Sequence, residues 1–304
     1  IKHKNPSAPY ATSSMLQDSA RRLGFQAQKT MRVAQELYEG VNLGSDFGGS
    51  RGLITYMRTD SLRISKEAQE AAKGYIVSNY GEEYYPQSAR VYKTRSDAQD
   101  AHEAIRPSSV ELEPDKIKKH LSGDQYKLYR LIWERFVASQ MQAAEYDTVS
   151  ANIRCGKYIF KANGQTLRFK GFLAVSGDTG GDDEDESATL PFLSENDVLT
   201  LVDVRPEQHF TEPPPRFSEA SLIDFFKEKG IGRPSTYAQI ITTIISRGYV
   251  TRESKMLVPT SLGCVTTDLM KEYFPEIVDY EFTAQMEDEL DDISSGKNTV
   301  EGML

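Results

Sequence analysis

The stretch from Ser218 to Val258 reads SEASLIDFFKEKGIGRPSTYAQIITTIISRGYVTRESKMLV, and it decides the fold expected for this chain. Ser218 is an N-cap for a helix predicted over 219–229, and Gly230 ends that helix. A second helix is predicted over 234–247, with Pro234 in its first turn and Gly248 after its end. Two short strands, 249–252 and 256–258, follow. The predicted order is helix, turn, helix and wing.

The same order of elements is predicted near the start of the chain. Thr12 is expected to cap a helix over 13–23 that stops at Gly24, and a second helix over 26–38 precedes Gly40. An irregular glycine-rich stretch then leads into an apolar, β-prone strand that ends at Tyr56. This arrangement is typical of winged-helix domains, which present the second helix and the wing to DNA.

The middle of the chain has a different pattern. A helix is predicted over 124–141, and the spacing of its aromatic and apolar face favours core packing over base stacking at Tyr129, Ile132, Trp133 and Phe136. The stripe Ile240, Ile241, Ile244 and Ile245 of the later helix is assigned to the core for the same reason. Strands are then predicted over 147–154, 157–163, 166–174 and 198–204, with turns such as Asn163-Gly164 between them.

Two segments mark boundaries in this region. The proline run from Glu212 to Arg216 is a stiff connector and favours a domain boundary. The acidic, glycine-bearing stretch from Asp178 to Glu186 is interpreted as a mobile surface loop, because repelling carboxylates without apolar anchors stay solvated. An acidic metal site is the alternative.

Charge is distributed unevenly along the chain. The net charge is −9 over 304 residues, but residues 1–110 carry +3, residues 111–211 carry −5 and residues 212–304 carry −7. Tyr56 therefore lies in the basic part. The isolated Cys155 and Cys264 argue against a zinc cluster or a disulfide scaffold. With no secretory signal and no apolar run of membrane-spanning length, we expect a soluble, cytoplasmic protein of more than one domain that does not bind membranes.

The segment Gly52-Leu-Ile-Thr-Tyr-Met-Arg-Thr-Asp-Ser61 places a phenol beside phosphate-binding groups. In an extended chain Tyr56 and Arg58 share one face. Arginine holds a phosphate bidentately, whereas a free tyrosine, with a pKa of about 10, attacks poorly unless it is helped. Packing is the alternative interpretation of Tyr56.

Further polar residues gather near the predicted helix termini. Arg233, Ser235 and Thr236 place a cation and two hydroxyls where a helix dipole favours an anion, although an ordinary capped helix explains them too. Arg247 at the far end either complements the dipole or contacts DNA. His102 lies in a polar stretch, where a lone histidine is more often a structural hydrogen-bonding residue than a catalytic one.

Four motifs together resemble the type IA DNA topoisomerases, in particular those of the bacterial topoisomerase I group. The matching segments, in the family's order, are Tyr56-Met57-Arg58-Thr59-Asp60-Ser61, Asp100-Ala101-His102-Glu103-Ala104-Ile105-Arg106-Pro107, Gly230-Ile231-Gly232-Arg233-Pro234-Ser235-Thr236-Tyr237 with Ser246-Arg247-Gly248-Tyr249-Val250, and Phe282-Thr283-Ala284-Gln285-Met286-Glu287. The resemblance extends along most of the chain.

The resemblance implies a multidomain α+β fold in which two mainly helical, winged-helix-like (CAP-like) domains are joined by a β-rich arch around a hole. The domains expected from it are the start of the arch at 1–9, the catalytic tyrosine domain at 10–143, the arch at 144–211 and an incomplete second winged-helix-like domain at 212–304.

The resemblance also implies the chemistry. Tyr56 would attack a phosphodiester of single-stranded DNA, leaving a 5′-phosphotyrosyl link and a free 3′-OH, and reversal after strand passage would relax negative supercoils without ATP. Arg58, His102 and Arg233 would stabilise charge on the phosphate, and Arg106, Ser235, Thr236 and Arg247 would bind DNA. Arg106 alternatively buttresses the site, and the roles of Asp60 and Glu103 stay open.

Other parts of the family pattern are not found in this sequence. In the family, a Toprim domain supplies a catalytic glutamate, a lysine and an acidic cluster for Mg²⁺, and zinc-binding modules follow at the C-terminus. We therefore expect a fragment that contains no metal site, depends on the Toprim domain of the same protein, and does not relax DNA alone. A monomer at the bacterial nucleoid is expected.

Two alternatives remain from the sequence. One is a topoisomerase III or reverse gyrase fragment, although the former typically has proline where this chain has Met57. The other is a winged-helix protein that binds DNA without catalysis.

Overall fold

The computed structural model describes residues 1–93, 102–176, 190–191 and 193–303. The acidic stretch from Asp178 to Glu186 lies outside the described residues, as do Asp100 and Ala101 of the second motif. Within the described ranges the chain is a mixture of α-helices and antiparallel β-strands. No helix in these ranges combines the length and apolarity needed to cross a membrane.

The first half of the chain is built on helices. They are α1 (Thr12–Asp18), α2 (Ala27–Glu39), α3 (Lys66–Tyr80), α4 (Pro114–Ile117) and α5 (Gly123–Ser139). Helix α1 continues as a π-helical turn over Ser19–Leu23 and ends at Gly24, whose φ of 66° is the left-handed conformation expected for a helix-ending glycine. The prediction of Thr12 as N-cap is wrong. Ala11 is the N-cap, and Thr12 lies inside the helix, fully buried.

The segment between α2 and α3 differs from the sequence prediction in two ways. Its glycine-rich part forms a short hairpin of β2 (Val41–Asn42) and β3 (Ser50–Arg51). The segment bearing Tyr56 is extended but is not a regular strand, since within it only Ile54 makes a bridge, with Pro107. Leu53, Ile54 and Met57 are all buried, so both sides of this segment face the core. Beside the bridge, Thr55 N donates to Arg106 O at 2.9 Å.

The core of this half centres on α5. Tyr129, Ile132, Trp133 and Phe136 are all at most 5 % exposed, which confirms their assignment to the core. Two of these side chains also bond to the backbone before α4, because Trp133 Nε1 donates to Val110 O at 2.9 Å and Tyr129 Oη donates to Leu112 O at 2.7 Å. Helix α2 packs against α5 and so holds the start of the Tyr56 segment on the same core.

A three-stranded antiparallel sheet follows α5. It contains β1 (Lys2–Lys4), β4 (Ala144–Cys155) and β5 (Tyr158–Phe169) in the order β1-β4-β5. The predicted turn at Asn163-Gly164 is wrong, because both residues lie within β5 opposite Ser150 and Val149. After β5 the chain forms a helical turn, α6 (Leu173–Ser176), where a strand was predicted.

The predicted strand over 198–204 is also wrong. These residues have no regular structure, and Val198 and Val202 are 97 % and 93 % exposed. The alternating apolar pattern is present, but in the described part of the chain no strand pairs with it.

The last part of the chain begins with the stretch from Ser218 to Val258. Its elements are α7 (Glu219–Lys229), α8 (Tyr237–Ser246), β6 (Val250–Glu253), β7 (Met256–Pro259), α9 (Ser261–Tyr273), α10 (Tyr280–Ser294) and α11 (Val300–Met303). Helix α7 has the predicted bounds, but α8 begins at Tyr237 rather than Pro234. Leu257 N donates to Phe217 O at 2.7 Å, and Ser218 pairs with Met256, so the chain before α7 lies along the β6–β7 hairpin.

A small apolar cluster joins the two helical parts. Helix α1 contacts α7, and α2 contacts α8. The buried members of the cluster are Leu16, Ala27, Ile223, Phe226, Tyr237 and Ile241. Of the predicted isoleucine stripe, only Ile241 is fully buried, while Ile240 and Ile245 are partly buried against the same cluster. This contact places the start of α8 next to the segment that follows Tyr56.

Candidate active site

Hydrogen bonds on both sides of Tyr56 fix its backbone. Before it, Leu53 N donates to Leu37 O at 2.7 Å, which ties the segment to the end of α2. The chain passes so close to α2 that a Cβ on Gly52 would lie 2.6 Å from Tyr38 O, so glycine is required there. The adjacent Thr55 then binds the second motif: its Oγ1 donates to Ala104 O at 2.7 Å.

A buried hydroxyl holds the chain after Tyr56. Thr12 Oγ1 donates to Met57 O at 2.6 Å and accepts from Thr59 N at 2.9 Å. Thr12 N also donates to Thr59 O at 2.9 Å. Helix α1 therefore fixes the backbone between Tyr56 and Asp60, and this explains why Thr12 is buried rather than capping the helix.

The ring of Tyr56 lies between two other rings. The His102 imidazole is 4.9 Å away between centroids, with the planes inclined at 32°, and the Tyr38 ring lies edge-on at 5.5 Å. Tyr56 is half-buried, whereas His102 is exposed. Among the described residues no hydrogen-bond partner is found for the Tyr56 hydroxyl. Tyr56 of the first motif and His102 of the second, 46 positions apart in the sequence, thus come into contact.

An open cavity of about 820 Å³ contains most of the predicted site residues. Tyr56, Arg58 and His102 line it from one side, and Arg233 and Ser235 line it from the α7–α8 turn. Tyr56 and Arg58 therefore face the same space, as their shared face predicts. Among the described residues the acidic lining comes from Asp60, Asp288 and Asp291.

Three predicted site residues do not line this cavity. Arg106 donates from Nε to Glu103 Oε2 at 2.7 Å and from Nη1 to Pro107 O at 3.0 Å, which is a buttressing geometry. Thr236 Oγ1 accepts from Arg233 N at 2.8 Å and so closes the turn before α8. Arg247 is exposed at the end of α8.

Arg233 is held firmly by helix α10 and by the turn that carries it. Its Nε donates to Asp291 Oδ2 at 3.0 Å and its Nη2 donates to Asp288 Oδ1 at 3.2 Å. Its Nη1 donates to the carbonyls of Gly230 and Gly232, at 3.1 and 2.9 Å. Burial opposes its charge, but the hydrogen bond and charge of Asp291, with further acidic neighbours, outweigh this and raise the pKa of Arg233.

The start of α8 offers fewer free backbone N–H groups than the sequence indicates. Because the helix begins at Tyr237, the residues from Pro234 to Thr236 form a turn. The N–H groups of Thr236 and Tyr237 both donate to Arg233 O, at 2.8 and 3.2 Å. Ser235 is exposed and lines the cavity, so its hydroxyl is accessible to a ligand there.

Asp60 lies between the two sides of the cavity. Burial raises the pKa of its carboxyl, the charges of Lys227 and Arg233 lower it, and Asp291 raises it further, with a net increase. These neighbours come from α7, from the α7–α8 turn and from α10, so Asp60 connects the tyrosine segment electrostatically to the last part of the chain.

Two lysines in the cavity were not predicted from the sequence. Lys93 and Lys227 both line it, and both are exposed. Lys227 is in the last turn of α7, where a cation is unremarkable because it complements the helix dipole. Only the fold brings it beside the Tyr56 segment. In the described ranges, no group of three His, Cys, Asp or Glu residues has the geometry to hold a metal ion.

Comparison with known proteins identifies the family of this chain. The family model described as DNA topoisomerase matches residues 1–304. Full-length topoisomerase I from Thermotoga maritima is similar in structure, with a TM-score of 0.84 and 38 % sequence identity over 99 % of this chain. The match covers 48 % of that protein, so the chain spans about half of its length. This chain belongs to the DNA topoisomerase family, within its type IA branch.

Proposed function

We propose that this chain carries the nucleophile and the strand-binding cavity of an enzyme that relaxes negatively supercoiled DNA. The phenol oxygen of Tyr56 attacks a phosphodiester of a single strand. An O–P bond forms, the bond from phosphorus to the 3′ oxygen breaks, the phenol gives up its proton, and the 3′ oxygen leaves as a hydroxyl. A second strand passes through the break, and the 3′-OH reverses the reaction. Because the ester is exchanged rather than hydrolysed, ATP is not needed.

The observation that carries this proposal is the meeting of Tyr56, Arg58 and His102 at one cavity. Arg58 is exposed and forms no ion pair with a described carboxylate, so its guanidinium is available to a phosphate. Arg58 and His102 would stabilise the charge that develops on the phosphate oxygens. Arg106, bonded to Glu103, would support the backbone beside Tyr56 rather than touch the strand.

The proton acceptor for Tyr56 is proposed to come from a Toprim domain of the same protein, as the family resemblance implies. The described residues place no carboxylate in hydrogen-bond contact with the phenol. They also form no set of ligands that fits Mg²⁺. We expect the chain alone to bind single-stranded DNA without relaxing a plasmid, because the proposed proton acceptor belongs to the Toprim domain.

The architecture proposed for this function follows the family. The α7–α8 pair with the β6–β7 hairpin would act as a winged-helix unit, with Arg247 and Ser235 as DNA contacts. The sheet of β1, β4 and β5 would belong to the arch, with domains at 1–9, 10–143, 144–211 and 212–304. A monomer acting at the bacterial nucleoid is proposed.

A covalent-trapping experiment tests the proposal. The chain is mixed with a Toprim domain from a type IA enzyme, Mg²⁺ and a labelled single-stranded oligonucleotide, denatured, and run on a gel. A labelled protein band that is absent from Tyr56→Phe is expected. Binding of the oligonucleotide without any Tyr56-dependent band, with an intact type IA enzyme giving adduct in parallel, would favour a DNA-binding module without catalysis.

A further inference from the structure

The basic residues of the cavity fall into two groups according to their partners. Arg135 and Arg233 already form ion pairs within the chain. Arg135 Nη2 lies 2.5 Å from Asp18 Oδ2, and Arg233 Nη2 lies 2.9 Å from Asp291 Oδ2. Arg58, Lys93 and Lys227 also line the cavity, and none of them forms an ion pair with a described carboxylate. The positive charges of the second group are therefore available to bind an anionic ligand.

Arg233 is poorly placed to bind a phosphate directly. Each of its three nitrogens has an oxygen partner in the chain, from two backbone carbonyls and from Asp288 and Asp291. A third carboxylate, that of Glu287, lies 3.9 Å from Nη1. A phosphate at this guanidinium would meet three negative charges. The geometry suits a residue that fixes the α7–α8 turn to α10.

Lys227 has the opposite character. It is in the last turn of α7, is exposed, and lines the cavity together with Arg58 and Tyr56. Its positive charge lowers the pKa of the carboxyl of Asp60, which lines the same cavity two residues after Arg58. A lysine has a flexible stem and a compact charge, which lets it follow a phosphate without a fixed geometry.

We propose that Lys227, and not Arg233, is the cation through which the α7–α8 side of the cavity binds a backbone phosphate of the single strand. Arg58 binds the strand from the tyrosine segment, and Lys227 binds it from the other side. Arg233 acts as a positioning residue for the turn that carries Ser235. This inference rests on the proposed function, because it assumes that a single strand of DNA occupies the cavity.

Salt dependence of binding separates a phosphate contact from an indirect effect. Each phosphate contact on a single strand contributes about 0.7 to the slope of log affinity against log salt concentration. The affinity of the 304-residue chain for a fluorescent single-stranded oligonucleotide would be measured by anisotropy at several salt concentrations. We compare Lys227→Gln, Lys227→Arg and Arg233→Gln, with Lys271→Gln, an exposed lysine of α9 outside the cavity, as the matched control.

We expect Lys227→Gln to weaken binding about threefold to tenfold at low salt and to reduce the slope by about 0.7, while Lys227→Arg restores both. Arg233→Gln should weaken binding with the slope retained, and Lys271→Gln should match wild type. Fluorescence of Trp133, the single tryptophan, checks that each variant is folded.

The outcomes distinguish this inference from the proposed function. A Lys227→Gln slope equal to that of wild type overturns the assignment of Lys227, and a reduced slope in Arg233→Gln alone transfers the contact to Arg233. In both cases a Tyr56-dependent adduct would leave the proposed function standing. Failure of the wild-type chain to bind the oligonucleotide overturns the proposed function together with this inference.

Discussion

The carboxylate of Glu219 caps a helix that begins 192 residues earlier in the chain. Its Oε2 accepts a hydrogen bond from Ala27 N at 2.8 Å, while its Oε1 accepts from Arg252 Nε at 2.7 Å. Gln26, the local N-cap of α2, makes no side-chain cap of its own. Glu219 is 8 % exposed, so this charge is satisfied by a helix N-terminus and by a guanidinium rather than by water.

Replacing Glu219 by Gln should therefore destabilise the helix that leads to the Tyr56 segment. The substitution keeps the size of the side chain but removes the charge that both partners use, and we expect a loss of about 1–3 kcal/mol in the free energy of unfolding. Urea unfolding followed by the fluorescence of Trp133, which is buried in the same half of the chain as α2, measures it.

Glu228→Gln is the control for this substitution. Its side chain is 70 % exposed, and among the described residues its ion-pair partner is the neighbouring Lys229, whose Nζ lies 3.4 Å from Glu228 Oε1, so we expect a change below about 0.5 kcal/mol. Equal losses in the two variants would mean that the long-range cap does not stabilise α2.

The hydroxyl of Thr12 should be needed to fix the chain after Tyr56. Thr12→Val keeps the shape but leaves the buried N–H of Thr59 without its side-chain acceptor, which should cost about 1–3 kcal/mol of unfolding free energy. Thr12→Ser retains the hydroxyl and should lose less. The same urea titration compares them, and a Val variant as stable as wild type would show that the hydrogen bonds of the Thr12 hydroxyl do not stabilise the chain after Tyr56.

Gly52 is expected to tolerate no side chain. A Cβ there would lie 2.6 Å from Tyr38 O, so Gly52→Ala must shift the backbone before Tyr56, at a cost of about 1–3 kcal/mol. Gly74, inside α3, has no atom within 4 Å of the same position, and Gly74→Ala should stabilise the chain by about 0.5–1 kcal/mol. Thermal unfolding should therefore show a lower melting temperature for Gly52→Ala and a higher one for Gly74→Ala. A shift of both melting temperatures in the same direction would contradict the close approach at Gly52.

Local signals predicted the elements of this fold better than the contacts between them. The bounds of α7 follow from Ser218 and Gly230, whose capping geometry depends only on adjacent residues. The prediction of a turn at Asn163-Gly164 was wrong because pairing with β4 keeps these residues in a continuous strand. Ser150 Oγ of β4 donates to Asn163 Oδ1 of β5 at 2.8 Å. The pattern over 198–204 likewise predicts a strand that finds no partner among the described residues.

The candidate site shows the same division. The pairing of Tyr56 with Arg58 follows from alternation along an extended chain, and the meeting with His102 follows only from the family resemblance. The ion pairs of Arg233 could not be predicted from its motif, because the carboxylates that bind it belong to α10, more than 50 residues later. Lys227 could not be predicted as a cavity residue either, because a lysine at a helix end is common and only the tertiary fold places it in the cavity.

Asp60 should make the stability of the chain depend on pH. Burial raises the pKa of its carboxyl, so the folded chain binds this proton more tightly than the unfolded chain. Ionisation of Asp60 then costs stability. The cost is absent below the ordinary pKa of 3.8 and grows as the pH rises through the higher folded value.

Asp60→Asn removes this cost because it cannot ionise. The unfolding free energy of the variant relative to wild type should increase as the pH rises above about 4 and become constant once the pH exceeds the raised pKa of the folded chain. Urea unfolding at a series of pH values measures the difference. A difference that does not change with pH would mean that Asp60 ionises equally easily in the folded and unfolded chains.

The contact between His102 and Tyr56 allows the packing role of the imidazole to be separated from its polar role. His102→Phe keeps a ring against the phenol, whereas His102→Ala removes it. If the imidazole contacts the phosphate, both variants should form the Tyr56 adduct about a hundredfold more slowly in the trapping experiment, since a phenyl ring can neither donate nor accept a proton. His102→Gln, which keeps a hydrogen-bond donor, should retain part of the rate. Adduct formation by the Phe variant at the wild-type rate would reduce His102 to a packing residue and leave Arg58 as the one group from the first two motifs that stabilises the phosphate.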